Sequence, residues 1–103
     1  MTRALIIRPE AEAEVNEAVT WYEDKSPTSA ARFAQQLRST LARIVDNPFQ
    51  YQIVEDEIRR APIADFPYGI LYAASDDEIV ILSCFHGRRD PARWRDVQND
   101  DIP

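Results

Sequence analysis

The chain has 103 residues, 45% of them hydrophobic, and carries 18 acidic against 12 basic side chains, giving a formal charge of −6 and a pI near 4.7. That length holds one two-layer core, and the apolar fraction with only two glycines marks a folded chain rather than a disordered one. The acidic balance argues against wholesale electrostatic attachment to nucleic acid, which needs Lys and Arg to displace phosphate counterions; one cysteine and one histidine leave no material for a disulfide framework or a dedicated zinc site, so no metal or other cofactor is expected.

The chain opens with the short β-branched run Ala4 to Arg8, punctuated by Pro9, whose fixed φ suits the first turn of a helix and not a central strand. The run predicts the first strand. It is far too short for a signal-peptide core, and no later segment approaches membrane length, so a cytoplasmic protein is expected. From Pro9 to Asp24 the residues Ala11, Val15, Ala18, Val19 and Tyr22 fall on one helical face among carboxylates, which predicts an amphipathic helix. A second helix follows, with Ser26 as its cap, Pro27 at its first position and the stripe Ala30, Phe33, Leu37, Leu41 and Ile44, until Asn47-Pro48 stops it. A connection of about three residues forces the two helices into a tight antiparallel hairpin.

The C-terminal half supplies the partner layer. "IRRAPI", "YGILYAA" and "EIVILSCFH" read as three strands, the last two joined by the acidic turn Ser75-Asp76-Asp77. In the last strand both alternating sets are apolar, Ile79, Ile81 and Phe85 on one side and Val80, Leu82 and Cys84 on the other, which makes it central and covered on both faces. Cys84, inside that strand, is expected to be a buried, inert thiol. The fold class is therefore α+β: an N-terminal strand, a helical hairpin, then a three-stranded antiparallel β-meander (β-α-α-β-β-β), with the helices on one sheet face.

Charge inverts after that strand. His86 stands directly before a knot of arginines, Arg88, Arg89, Arg93 and Arg95, which reads either as a partner-binding patch or as a solvated network paired with Asp90, Asp96 and the acidic helix. His86 itself either transfers protons or simply holds the following turn. Asp90-Pro91 is expected to start a turn or short helix that lets Trp94 fold back on the body. Arg59 and Arg60, adjacent in a strand, must point to opposite faces, and whichever takes the open side would join His86 and Arg88 in one cluster.

Taken in order, "RPEAEAEVNEAVTWYE", "ARFAQQLRSTLARIVDNPFQY", "IRRAPIADFPYGILY" and "EIVILSCFHGRRDPARW" resemble the ParE branch of the RelE/ParE toxin superfamily, the toxins of bacterial type II toxin-antitoxin pairs, over nearly the whole chain. The resemblance implies a toxin domain over residues 1–96 followed by an acidic, flexible tail over 97–103. It implies a cognate antitoxin as obligatory partner in a hetero-oligomer, and DNA gyrase as the target, poisoned by binding rather than by nuclease action. Expected partner-binding residues are Arg59, Arg60, His86, Arg88, Arg89 and Arg93; the groove expected to take the antitoxin is lined by Val15, Val19, Tyr22, Phe33 and Leu37.

Two alternatives stand beside this reading. A RelE-like enzyme would cut ribosome-bound messenger RNA, with His86 for proton transfer, Arg59 and Arg88 as cations and Tyr72 as acid. The single lysine, Lys25, and the acidic tail "DVQNDDIP" weigh against such ribosome binding. A diverged, non-toxic member would keep antitoxin binding alone.

Overall fold

In the computed structural model, which describes residues 3–87, the elements run β1 (Ala4–Ile7), α1 (Pro9–Lys25), α2 (Pro27–Asp46), β2 (Gln52–Glu55), β3 (Ile58–Pro62), β4 (Tyr68–Ala74) and β5 (Glu78–His86). The helical hairpin is tighter than the sequence predicts. Ser26 alone joins the helices, its N–H donating to Tyr22 O at 2.8 Å to close α1 while its Oγ accepts from Ser29 N at 3.0 Å to open α2. Pro9 and Pro27 each take a first-turn position where a missing N–H costs nothing, and Glu10 and Glu12 set negative charge against the positive end of the α1 dipole.

The strands form one sheet in the order β1-β5-β4-β3-β2. β1 pairs parallel to β5, from Ala4 opposite Glu78 to Ile7 opposite Ile81, and the remaining strands form an antiparallel meander. That meander has four strands, not the three read from the sequence. The extra one, β2, carries side chains that are exposed or at best half-buried, and it turns into β3 through Asp56, which takes the left-handed conformation at φ 50°.

β5 is central, as its continuous apolar character requires, but its two faces do not alternate strictly. Leu71 pairs with Ser83 and Tyr72 with Ile81, so Leu82 is the extra residue of a β-bulge. Beyond the bulge the phase changes. Cys84 joins Ile79 and Ile81 in the main core against the helices, with Phe33, Ile44, Ile70 and Tyr72, whereas Phe85 joins Leu82, Leu71 and Ile58 in a second buried cluster. Strict alternation would have exchanged Cys84 and Phe85.

The sequence positions Arg88, Arg89, Asp90, Pro91, Arg93, Trp94 and Arg95, and the acidic tail 97–103, lie outside the described residues. Among the described residues no helix is long and apolar enough to cross a membrane, and no group of three His, Cys, Asp or Glu side chains is placed to hold a metal ion.

Candidate functional site

A concavity of about 900 Å³ lies where α1 crosses the start of β4 and the end of β5. α1 contributes Glu14, Glu17, Trp21, Tyr22 and Asp24, and the sheet contributes Pro67, Tyr68, Cys84 and His86. Its shape follows from one polar contact that reaches across about seventy residues of sequence. Glu14 Oε1 accepts from Ser83 Oγ at 2.8 Å and from the Cys84 N–H at 3.2 Å, so the carboxylate pins the bulge of β5 to α1. Both donors belong to buried residues, and one carboxylate satisfies them at once.

The wall of this cleft is aromatic. Tyr22 stacks on Phe33 at 5.2 Å between centroids and meets Trp21 and Phe66 edge-on, each at 5.0 Å. The same edge-on geometry brings His86 onto Tyr68 at 5.0 Å. Trp21 remains 54% exposed at the rim, with the Lys25 ammonium 4.8 Å from its ring. Cys84 offers no nucleophile: burial, reinforced by the Glu14 carboxylate, pushes its thiol up to about 12. Three carboxylates and one histidine therefore line the cleft, with no lysine or arginine among its described lining residues.

Among the described residues, Arg59, Arg60, Tyr72 and His86 do not converge on one place. Tyr72 is fully buried and its hydroxyl donates to Pro48 O at 2.6 Å; burial, only partly offset by Arg59, pushes its phenol up to about 12. It ties β4 to the segment after α2. Arg59 is committed nearby, its Nη1 donating to Tyr51 O at 2.7 Å and Phe49 O at 3.3 Å while its guanidinium lies 5.3 Å from the Phe49 ring. Since Arg59 pairs with Tyr72 and His86 with Tyr68, Arg59 and His86 are separated by four positions along β4, about 13 Å. Arg60 projects onto the other sheet face, over Gly69, while His86 faces α1.

Of the groove residues, Phe33 is core at 0% exposure, and Val15, Val19, Tyr22 and Leu37 are half-buried against it. Tyr22 reaches the large cleft and Val19 a smaller one of about 370 Å³ with Glu23, Pro27, Ala30 and Ala31. Sequence reading missed Glu14, whose partners are distant in the chain, and missed the exposed apolar edge formed by Leu5, Ile6 and Ile7 of β1, each 42–45% exposed.

Over residues 5–91 the chain matches the family described as ParE toxin of type II toxin-antitoxin system, parDE. No curated protein matches. Among solved structures it is similar to a chain of a chromosomal ParDE TA system from P. aeruginosa, at 16% sequence identity and a TM-score of 0.72, with 82% of this chain and 96% of that chain covered. At that identity the likeness is one of fold.

Proposed function

The chain belongs to the ParE toxin family of type II toxin-antitoxin systems, and from that premise we propose that it inhibits DNA gyrase by binding, without cutting RNA, until a cognate antitoxin neutralises it in the cytoplasm. The observation that carries a binding mechanism is the setting of His86. Among the described residues the charged groups lining its cleft are Glu14, Glu17 and Asp24, and a transferring phosphoryl group needs cations around it, not carboxylates. Among the described residues, two other candidates of a nuclease set are spent on structure: Tyr72 donates a hydrogen bond to a carbonyl and Arg59 braces the segment from Phe49 to Tyr51.

The same cleft suits the antitoxin. An amphipathic helix laid along α1 would cover Trp21 and Tyr22 with its apolar side chains and set an arginine or lysine against Glu17 and Asp24. The rim tryptophan is the kind of anchor on which interface energy concentrates. β1 offers a second handle, since among the described residues it is the edge of the sheet and Leu5, Ile6 and Ile7 are exposed for an extended segment to pair with.

Primer extension on messenger RNA from cells expressing the parent and His86→Gln tests the mechanism. The binding reading predicts no codon-specific cut from either protein and equal growth inhibition by both. A cut that disappears in His86→Gln overturns it in favour of a RelE-like nuclease, because general acid-base groups contribute about 10²–10⁴-fold.

A further inference from the structure

Both glycines of the sequence lie beneath one guanidinium. Gly69 sits in β4 and Gly87 just after β5, and neither has a positive φ, so the backbone conformation does not call for glycine at either place. At Gly69 space does: a Cβ there would stand 2.7 Å from Arg60 Nε, closer than Cβ contacts come in proteins, so the guanidinium would have to shift, whereas one on Gly87 would make only an ordinary contact, 3.6 Å from Arg60 Nη2. Arg60 pairs with Leu71 across the β3-β4 ladder, so Gly69 is its diagonal neighbour, and the side chain lies flat across the bare backbone toward Gly87.

The neighbouring arginine differs in every respect. Arg59 is held by two carbonyls and an aromatic ring. Arg60 is half-buried, rests on the face that carries the apolar cluster of Ile58, Leu71, Leu82 and Phe85, and makes no hydrogen bond or ion pair with an acceptor among the described residues. A guanidinium lying over an apolar floor, with its forked donors unspent among the described residues, is laid out for a planar bidentate acceptor.

We infer that Arg60, seated over Gly69 and Gly87, is a recognition point for an acidic side chain of a protein partner. Its fork matches a carboxylate, and arginine on an apolar floor is a common interface anchor. Nucleic-acid phosphate has the same sign of charge but must approach a protein of formal charge −6, which repels a polyanion far more than a single carboxylate. Gly69 is a positioning residue: its lack of a side chain holds the guanidinium down. The site stands whether or not the protein inhibits gyrase.

The test follows the Arg60 Nε–H signal by ¹⁵N NMR while the full chain is titrated with capped leucyl-glutamyl-leucine, with its glutamine counterpart, and with inorganic phosphate. The glutamate peptide is expected to shift the signal saturably and to bind about tenfold or more tighter than the glutamine peptide, the usual gain from a charged acceptor. Arg60→Gln is expected to abolish binding of the glutamate peptide, read from backbone amide shifts, and Gly69→Ala to weaken it by a similar factor while melting within a few degrees of the parent. An unshifted Nε–H, tighter binding of phosphate than of the glutamate peptide, or full peptide affinity in Arg60→Gln overturns the carboxylate site. Undiminished affinity in a folded Gly69→Ala overturns the positioning role and with it the seat.

Discussion

Replacing Glu14 with leucine removes the acceptor that serves two donors, the Ser83 hydroxyl and the Cys84 N–H. Ser83 and Cys84 are 1% and 2% exposed, so water does not readily replace the lost carboxylate. An orphaned buried donor costs about 1–3 kcal/mol; the hydroxyl can rotate and recover part of its share, so the pair is worth about 2–4 kcal/mol. Against a total stability of about 5–15 kcal/mol for a small domain this is a large fraction. At about 4–8 °C per kcal/mol for a domain of this size, the melting temperature of Glu14→Leu falls by about 8–32 °C. Glu14→Gln keeps one side-chain oxygen as acceptor and loses less than half as much. The double change Glu14→Leu with Ser83→Ala recovers about 1 kcal/mol, because the orphaned hydroxyl is gone. Thermal melts on these variants decide the matter: a Glu14→Leu protein that melts within about 2 °C of the parent refutes the claim that this carboxylate pins the bulge.

Tyr72→Phe leaves Pro48 O without its donor and costs about 1–2 kcal/mol by urea unfolding; an unchanged midpoint would contradict the role given to that hydroxyl. Alkaline pH is expected to destabilise the fold. Cys84 is raised from 9.0 to about 12 and Tyr72 from 10.0 to about 12, so the unfolded chain loses these protons first and stability falls as pH rises from about 9 toward 12. Cys84→Ala flattens the lower part of that slope, and parallel slopes in parent and variant would count against it. Native Cys84 is expected to resist thiol reagents at pH 8 and to react at once in denaturant; rapid labelling of the folded protein contradicts its burial. Trp21→Ala, at an exposed rim position, is expected to leave the melting temperature within about 2 °C of the parent and to weaken antitoxin binding by at least about tenfold in calorimetry; unchanged affinity would place the antitoxin elsewhere.

What was legible in the sequence is what local chemistry dictates. Helical periodicity around Phe33 and Ile44, proline at both helix starts, the Ser26 cap and the turn at Ser75 each follow from a few adjacent residues, and each is found in place. β2 was not legible, because a strand whose side chains are mostly exposed leaves no alternating pattern of apolar residues to read. The bulge at Leu82 was not legible either. It depends on a carboxylate from α1, and a one-residue slip moved His86 to the helix face and left Arg60 on the other. Among the described candidates, Arg59 and Tyr72 are thus braces, Arg60 lies on the opposite sheet face and His86 lines the cleft. Composition did hold one unread signal: in a chain with only two glycines, one of them, Gly69, stands inside a strand, where it serves the close approach of Arg60.

The central claim is that this chain stops gyrase by binding and that an antitoxin releases it. Gyrase supercoiling with the purified protein, with and without a stoichiometric amount of the product of the adjacent gene, tests it most directly. The account predicts inhibition by the parent and by His86→Gln alike, relieved in both by the antitoxin. Supercoiling that proceeds undisturbed at concentrations where the protein still arrests growth would contradict it.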